Sequence, residues 1–233
     1  FETFAPVIAW STVRLILCLA SLLGLIGRQV DYIQAFPQAE LDDPVYMRIP
    51  EGWAVTDENG HNMENMAIKL KKNLYGTKTA ARNWFYKLKA GLEVRGFQSS
   101  SVDPCLFIRN DCLIVLYTND CLCFSPDQKV IDQLIQELRD TGFLLKDEGD
   151  VSNFLGVNIV QNDATKQIVM TQTGLIDQII EDLHLNKPNT KTKFNPAASV
   201  LHPDPDGAVR AEDWNYRSVI GKMSFLAQMT RPD

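Results

Sequence analysis

Two acids and an amide hold positions from which they could do chemistry. Asp31 stands inside "RQVDYIQAF", and Asp120 follows Asn119 at the centre of "LIVLYTNDCLCF". In a two-metal phosphoryl-transfer site, carboxylates on neighbouring strands hold two divalent ions about 3.5–4 Å apart. Such a site needs hard oxygen ligands, and Mg²⁺ takes carboxylates and phosphates readily. Each acid also has a plainer reading. Asn and Asp both suit the backbone of a tight hairpin turn, so Asn119-Asp120 is turn chemistry in its own right. Asp31 interrupts the apolar run "VDYI", where a buried unpaired carboxylate would be costly, or it lies on an exposed strand face. Spacing alone leaves both readings open.

Charge offers a second candidate surface. The chain of 233 residues has a net charge of -6, yet residues 69–95 carry eight Lys/Arg against one Glu. A basic block in an otherwise acidic chain is either a phosphate-binding face or a solvated helix face. The cysteines point away from chemistry. Cys18, Cys105, Cys112, Cys121 and Cys123 are odd in number, and most lie in apolar runs. That pattern reads as free, buried thiols in a reducing compartment, and with no His near Cys121 and Cys123 it does not read as a zinc site.

The elements that must position these residues follow from period and punctuation. Residues 10–23 read as a helix that Ser11 or Thr12 could cap. Residues 29–33 read as a strand ending before Phe36-Pro37, and "EGWAVTDENGHNMEN" as a loop. "MAIKLKK" alternates like a short strand. Residues 79–95 place Ala80, Trp84, Leu88 and Leu92 on one side of an amphipathic helix. "DPCLFIRNDCLIVLYTNDCLCFSPD" reads as three strands joined by two turns. A helix over 128–141 follows, and "FLLKDEG" is an edge strand or loop. "NFLGVNIV" and "QIVMTQ" form a long-looped hairpin, and helices cover 173–185 and 214–229. The Pro/Asn/Asp-rich stretch from 186 reads as a linker. Helices interleaved with antiparallel strand pairs predict an α+β sheet with helices on one face. Hydrophobic content of 45% and charged content of 22% exclude a disordered chain. The longest apolar run, 7–27, is interrupted by Arg14 and reads as a core helix rather than a membrane span. With no initial methionine and an abrupt end at "TRPD", the chain reads as a piece of a longer one.

In order along the chain, "FETFAPV", "TVRLILCLA", "QVDYIQAFPQAEL", "VYMRIPEGW", "LKKNLYGTKTAARNWF", "VDPCLFI", "LIVLYTND", "KDEGDVSNFLGVNI" and "YRSVIGKMSFLAQMTRPD" resemble the reverse transcriptase of copia-type LTR retrotransposons. Any one block is weak, whereas the ordered series covers nearly the whole chain. The resemblance implies a right-hand polymerase: a palm with an antiparallel sheet and packed helices, partial fingers, and the start of a helical thumb or connection. Its expected organisation is a core over 1–185, a linker over 186–210 and the start of the thumb over 211–233. The implied reaction is template-directed extension of a DNA primer by deoxynucleoside triphosphates on an RNA or DNA template, with Mg²⁺, or Mn²⁺ as the alternative, as cofactor.

The same resemblance carries roles onto residues. Asp31 and Asp120 fall at catalytic, metal-binding carboxylates, and the Tyr32 backbone carbonyl at a further metal contact. Phe36 falls at the aromatic gate that excludes a ribose 2′-hydroxyl. Gly76 lets the backbone approach nucleotide or template, Lys78 faces the nucleotide, and Lys71, Lys72, Lys78 and Arg82 face nucleic acid. The family's hairpin tip reads Tyr, a variable residue, Asp, Asp; this chain reads Tyr117-Thr118-Asn119-Asp120. Asn119 therefore stands at a catalytic acid's position without the acid. An amide keeps one oxygen acceptor and loses the charge, which implies impaired catalysis, or a non-catalytic remnant that keeps only the fold or nucleic-acid binding. Thr77, Thr79 and Ala81 also depart from the residues common in this group. Implied partners are the rest of a Pol polyprotein, with integrase upstream and RNase H downstream, in a cytoplasmic virus-like particle with a nuclear phase and no membrane. Rival readings are another two-metal nucleotidyltransferase or cyclase on a related palm, and a protein–protein module without salt-sensitive binding to nucleic acid.

Overall fold

The computed structural model of the chain describes residues 2–56, 58–61, 66–162, 164–165, 167–186 and 214–231. Helix α1 (Trp10–Leu23) buries Val13, Ile16, Leu17 and Ala20, a single stripe at helical spacing. Its start corrects the expected Ser11 or Thr12 cap. A capping side chain must precede the helix, and Ala9 occupies that place. The buried carboxylate of Asp103 substitutes from far along the chain. Its Oδ2 accepts from the Ala9 N–H at 2.9 Å and from the Thr12 hydroxyl at 2.7 Å. Gly24, at φ 64°, ends the helix in the left-handed conformation that glycine adopts without steric cost.

The chain then runs through β1 (Ile26–Tyr32), a one-turn helix α2 (Ala35–Gln38), β2 (Tyr46–Arg48), β3 (Ala67–Lys69), α3 (Ala80–Glu93), β4 (Gln98–Ser99), β5 (Leu106–Arg109), β6 (Cys112–Tyr117), β7 (Asp120–Ser125), α4 (Gln128–Asp140) and β8 (Leu145–Asp150). Six strands form one sheet in the order β4-β5-β6-β7-β1-β8, with every adjoining pair antiparallel. The central strands β6 and β7 are almost wholly buried, and Ile114, Val115 and Leu122 are among the most enclosed residues. Edge strand β8 reads "LKDEGD", and its charges suit a strand with one unpaired side.

Beneath the end of β1, Tyr32, Trp84 and Phe143 meet edge to face, with ring centroids 5.1–6.2 Å apart. Gly91 makes room for this cluster: a Cβ there would lie 2.7 Å from the Phe143 ring. Gln38 ties α2 to the segment leading into β8. Its amide nitrogen donates to the Ile33 and Leu144 carbonyls, both at 2.8 Å, and its amide oxygen accepts from the Leu144 N–H at 2.9 Å. A buried glutamine is tolerated here because both ends of the amide are used.

Further along the chain come β9 (Asn153–Phe154), β10 (Val157–Gln161), β11 (Ile168–Thr171), α5 (Thr173–Asp182) and α6 (Tyr216–Met229). The stretch "NFLGVNIV", expected as one strand, is two. Leu155 and Gly156 take positive φ, 52° and 78°, and turn β9 back on β10 in a two-residue hairpin. The α+β class expected from the sequence is observed as two antiparallel sheets, a two-stranded ribbon and six helices among the described residues. The chain divides into two compact units, Phe1–Ser152 with Val160–Ile168, and Asn153–Ile159 with Val169–Asp233. Of the expected linker over 186–210, all but residue 186 lies outside the described residues. Among the described residues no helix is long and apolar enough to cross a membrane.

Candidate active site

Asp31 is the penultimate residue of β1, Asp120 is the first of β7, and the two are direct partners across the antiparallel pair. The hairpin between β6 and β7 closes on the pair Tyr117–Asp120, leaving Thr118 and Asn119 as a two-residue turn. Thr118 sits at φ 53°, a conformation that a β-branched residue adopts only under constraint from its surroundings. Part of that constraint is visible. The indole N–H of buried Trp84 donates to the Thr118 carbonyl at 2.6 Å, and the Tyr32 N–H donates to the Asn119 carbonyl at 2.9 Å. Helix α3 and strand β1 thus grip the turn from two sides.

The Asn119 side chain donates from Nδ2 to Asp31 Oδ1 at 2.8 Å. A carboxylate only accepts, so the amide must turn its NH₂ toward Asp31. Among the described residues Asp120 has no such donor. Burial pushes its carboxyl above the usual value of 3.8, and the nearby charges of Asp31 and Glu148 add to the rise. Glu148 is itself held by donors from Gln29 at 3.1 Å and Lys146 at 3.3 Å. Two facing carboxylates of this kind are a hard-oxygen donor set that fits a divalent cation. Among the described residues no group of three or more His, Cys, Asp or Glu could hold a metal ion, and position 119, where the resemblance leads one to expect a third acid, is an amide.

Phe36 lies in α2, half-buried, with its ring 4.6 Å from that of the exposed Tyr75. Gly76 follows at φ 100°, with open space where a Cβ would be, so glycine is required there by conformation rather than by a close neighbour. Lys71 and Lys78 are exposed. Lys72 and Arg82 are engaged. Lys72 pairs with Glu40, and Arg82 pairs with Asp42 at 3.0 Å. The Lys72 ammonium holds the Glu40 carboxyl below its usual range. The structure therefore gathers Asp31, Tyr32, Asn119 and Asp120 at one place and sets Phe36 beside Tyr75 and Gly76. Among the described residues it divides the basic block into cations with and without an ion pair.

Sequence reasoning passed over Trp84, Gln38 and the acids of residues 40–43. Trp84 was legible only as one member of an apolar stripe, although a buried indole N–H always needs an acceptor. The ion pairs of Glu40 and Asp42 join residues 32 and 40 positions apart and leave no local signal.

The family profile described as reverse transcriptase (RNA-dependent DNA polymerase) matches residues 1–197. The Retrovirus-related Pol polyprotein from transposon TNT 1-94 of Nicotiana tabacum is 30% identical over 244 residues, a match covering 100% of this chain and 18% of that polyprotein. The one from transposon RE1 of Arabidopsis thaliana is 30% identical over 242 residues, covering 100% of this chain and 15% of the polyprotein. The Transposon Ty1-NL2 Gag-Pol polyprotein of Saccharomyces cerevisiae is 26% identical over 212 residues, covering 85% of this chain and 11% of that protein. The chain thus spans less than a fifth of the length of these relatives, and no solved structure matches it significantly. With its facing acids and their hairpin in place, the chain belongs to the reverse transcriptase family, as a domain of the kind carried in the Pol polyproteins of copia-type transposons.

Proposed function

We propose that this chain is the palm-centred core of an RNA-directed DNA polymerase whose catalysis is attenuated at Asn119. The observation that carries this reading is the direct pairing of Asp31 with Asp120 beside a turn that offers an amide where a third acid is expected. The six-stranded sheet corresponds to the palm, the β2–β3 ribbon to part of the fingers, and α6 to the start of the thumb. The substrates are a DNA primer annealed to an RNA or DNA template, and deoxynucleoside triphosphates.

Asp31, Asp120 and the Tyr32 carbonyl would hold divalent metal, Mg²⁺ in the first instance. Bound there, the metal supplies positive charge that eases deprotonation of the primer hydroxyl and stabilises the leaving phosphate oxygen. The residues do the rest. The turn grip by Trp84 and Tyr32 fixes Asp120 relative to Asp31 before any substrate arrives, which is the preorganisation that electrostatic catalysis requires. Phe36, backed by Tyr75, would wall the sugar side of the nucleotide and leave no room for a 2′-hydroxyl. Gly76 and Lys78 would lie along the triphosphate. Asn119 works against the reaction in two ways. It brings no charge, and its N–H occupies an oxygen of Asp31. A loss of several kcal/mol of transition-state stabilisation corresponds to a rate reduced by about a hundredfold to a thousandfold or more, at about 1.4 kcal/mol per factor of ten.

The test is primer extension on an RNA template in Mg²⁺ and in Mn²⁺, using Asn119→Asp as the parent. Asp31→Asn and Asp120→Asn should each abolish extension by that parent, while Phe36→Ala should admit ribonucleotides. If either acid can be replaced without loss, the proposed site is wrong.

A further inference from the structure

The basic block suggested by the sequence is largely spent within the molecule. Lys72 and Arg82 pair with Glu40 and Asp42, Lys87 donates to the Gln38 carbonyl at 2.5 Å, Lys89 pairs with Glu93, and Arg95 binds the Glu137 carbonyl and Thr141. Phosphate contacts must therefore come from cations that remain unpaired, and the β2–β3 ribbon presents two of them. Its register sets Tyr46 across from Lys69 and Arg48 across from Ala67. Side chains alternate across a strand, so these four share one face, while Met47 and Ile68 share the other. The first face is exposed and the second half-buried. Tyr46 is 61% exposed. Neither Arg48 nor Lys69 makes an ion pair among the described residues. The acids of the adjoining hollow, Glu40, Asp42 and Asp43, are not all available to them, because Glu40 and Asp42 already hold Lys72 and Arg82.

Single exposed aromatics are ordinary on protein surfaces. An exposed phenol ring with an unpaired cation across the ribbon and another two residues along its strand is the arrangement that single-strand binders use, in which a base stacks on the ring and the cations meet the flanking phosphates. We propose that this outer face of the ribbon, Tyr46 with Arg48 and Lys69, is a stacking platform for an unpaired base of a single-stranded polynucleotide. The partner is single-stranded because bases in a duplex are already stacked on one another and closed to the ring. The proposal rests on the polymerase reading, under which an unpaired stretch of template is a natural occupant.

Binding of a labelled oligothymidylate and of a blunt duplex of equal length, measured by fluorescence anisotropy across a range of salt, separates the two ideas. Tyr46→Ala should weaken single-strand binding roughly tenfold, leaving duplex binding unchanged, and Tyr46→Trp should restore it. Arg48→Ala should weaken binding to every single-strand sequence alike and lower the salt slope by about 0.7. If the chain binds the single strand in a salt-sensitive way but Tyr46→Ala and Arg48→Ala bind as the parent does, the platform is wrong and the polymerase reading survives. If the parent chain shows no salt-sensitive binding at all, both fail.

Discussion

At the scale of residues, the hydrogen bond from Asn119 to Asp31 replaces what would be a repulsion between carboxylates. On the proposed reading, the consequence is a trade of function for stability. Asn119→Asp should lower the melting temperature in the absence of divalent metal, and Mg²⁺ should restore it. Asp120 carries a related cost. Its carboxyl is held above the usual value by burial and by Asp31 and Glu148. A carboxyl that binds its proton more tightly when folded favours the fold at low pH and penalises it as pH rises through the raised value. Asp120→Asn should therefore melt higher than the parent at neutral pH without metal, and the gain should vanish at about pH 4 and below. Thermal melts across pH, with and without Mg²⁺, test both statements. The role of Asp120 was readable only in part. Turn chemistry and ligation call for the same residue in "YTND", and its pairing with Asp31 across the sheet leaves no trace in the sequence.

At the scale of elements, α3 is more than a packing partner for the sheet. Trp84 projects an N–H to the strained turn and packs edge to face with Tyr32, so one residue supports both strand ends that carry the acids. Trp84→Phe keeps a ring and removes the donor. It should cost about 1 kcal/mol of stability, a fall of roughly 2–4 °C in melting temperature. It should reduce primer extension by Asn119→Asp more in kcat than in nucleotide KM, since the turn is loosened while the nucleotide's own contacts remain. Equal loss in a control variant of similar stability elsewhere in the core would remove Trp84 from the site. Period and punctuation made α3, α4 and the β6–β7 hairpin legible, because each has a clean apolar face or run. They did not reveal α2, where Pro37 suits a first helical turn but reads locally as a breaker. They also missed β2, whose three residues gain strand character only from pairing with β3.

At the scale of the molecule, the chain keeps four of its five thiols out of reach. Cys105, Cys112, Cys121 and Cys123 are buried and free, and Cys18 is exposed on α1. Burial pushes the Cys105 thiol up to about 12, with Asp103 adding to the rise. A thiol reagent at neutral pH should therefore modify one cysteine of five in the folded protein, Cys18, and all five after unfolding; fast labelling of Cys112, Cys121 or Cys123 would show that the β6–β7 core opens. On the proposed reading, the sheet, the hairpin and the acid pair form the frame of the site, and Asn119 is the side chain that limits catalysis. The most direct measurement is primer extension on an RNA template in Mg²⁺ by the chain as it stands and by Asn119→Asp, compared at equal concentration of folded protein. The expected result is extension by Asn119→Asp at a rate at least about a hundredfold above the parent. Extension by the parent at a comparable rate would show that Asp31 and Asp120 suffice, and would contradict the account of Asn119.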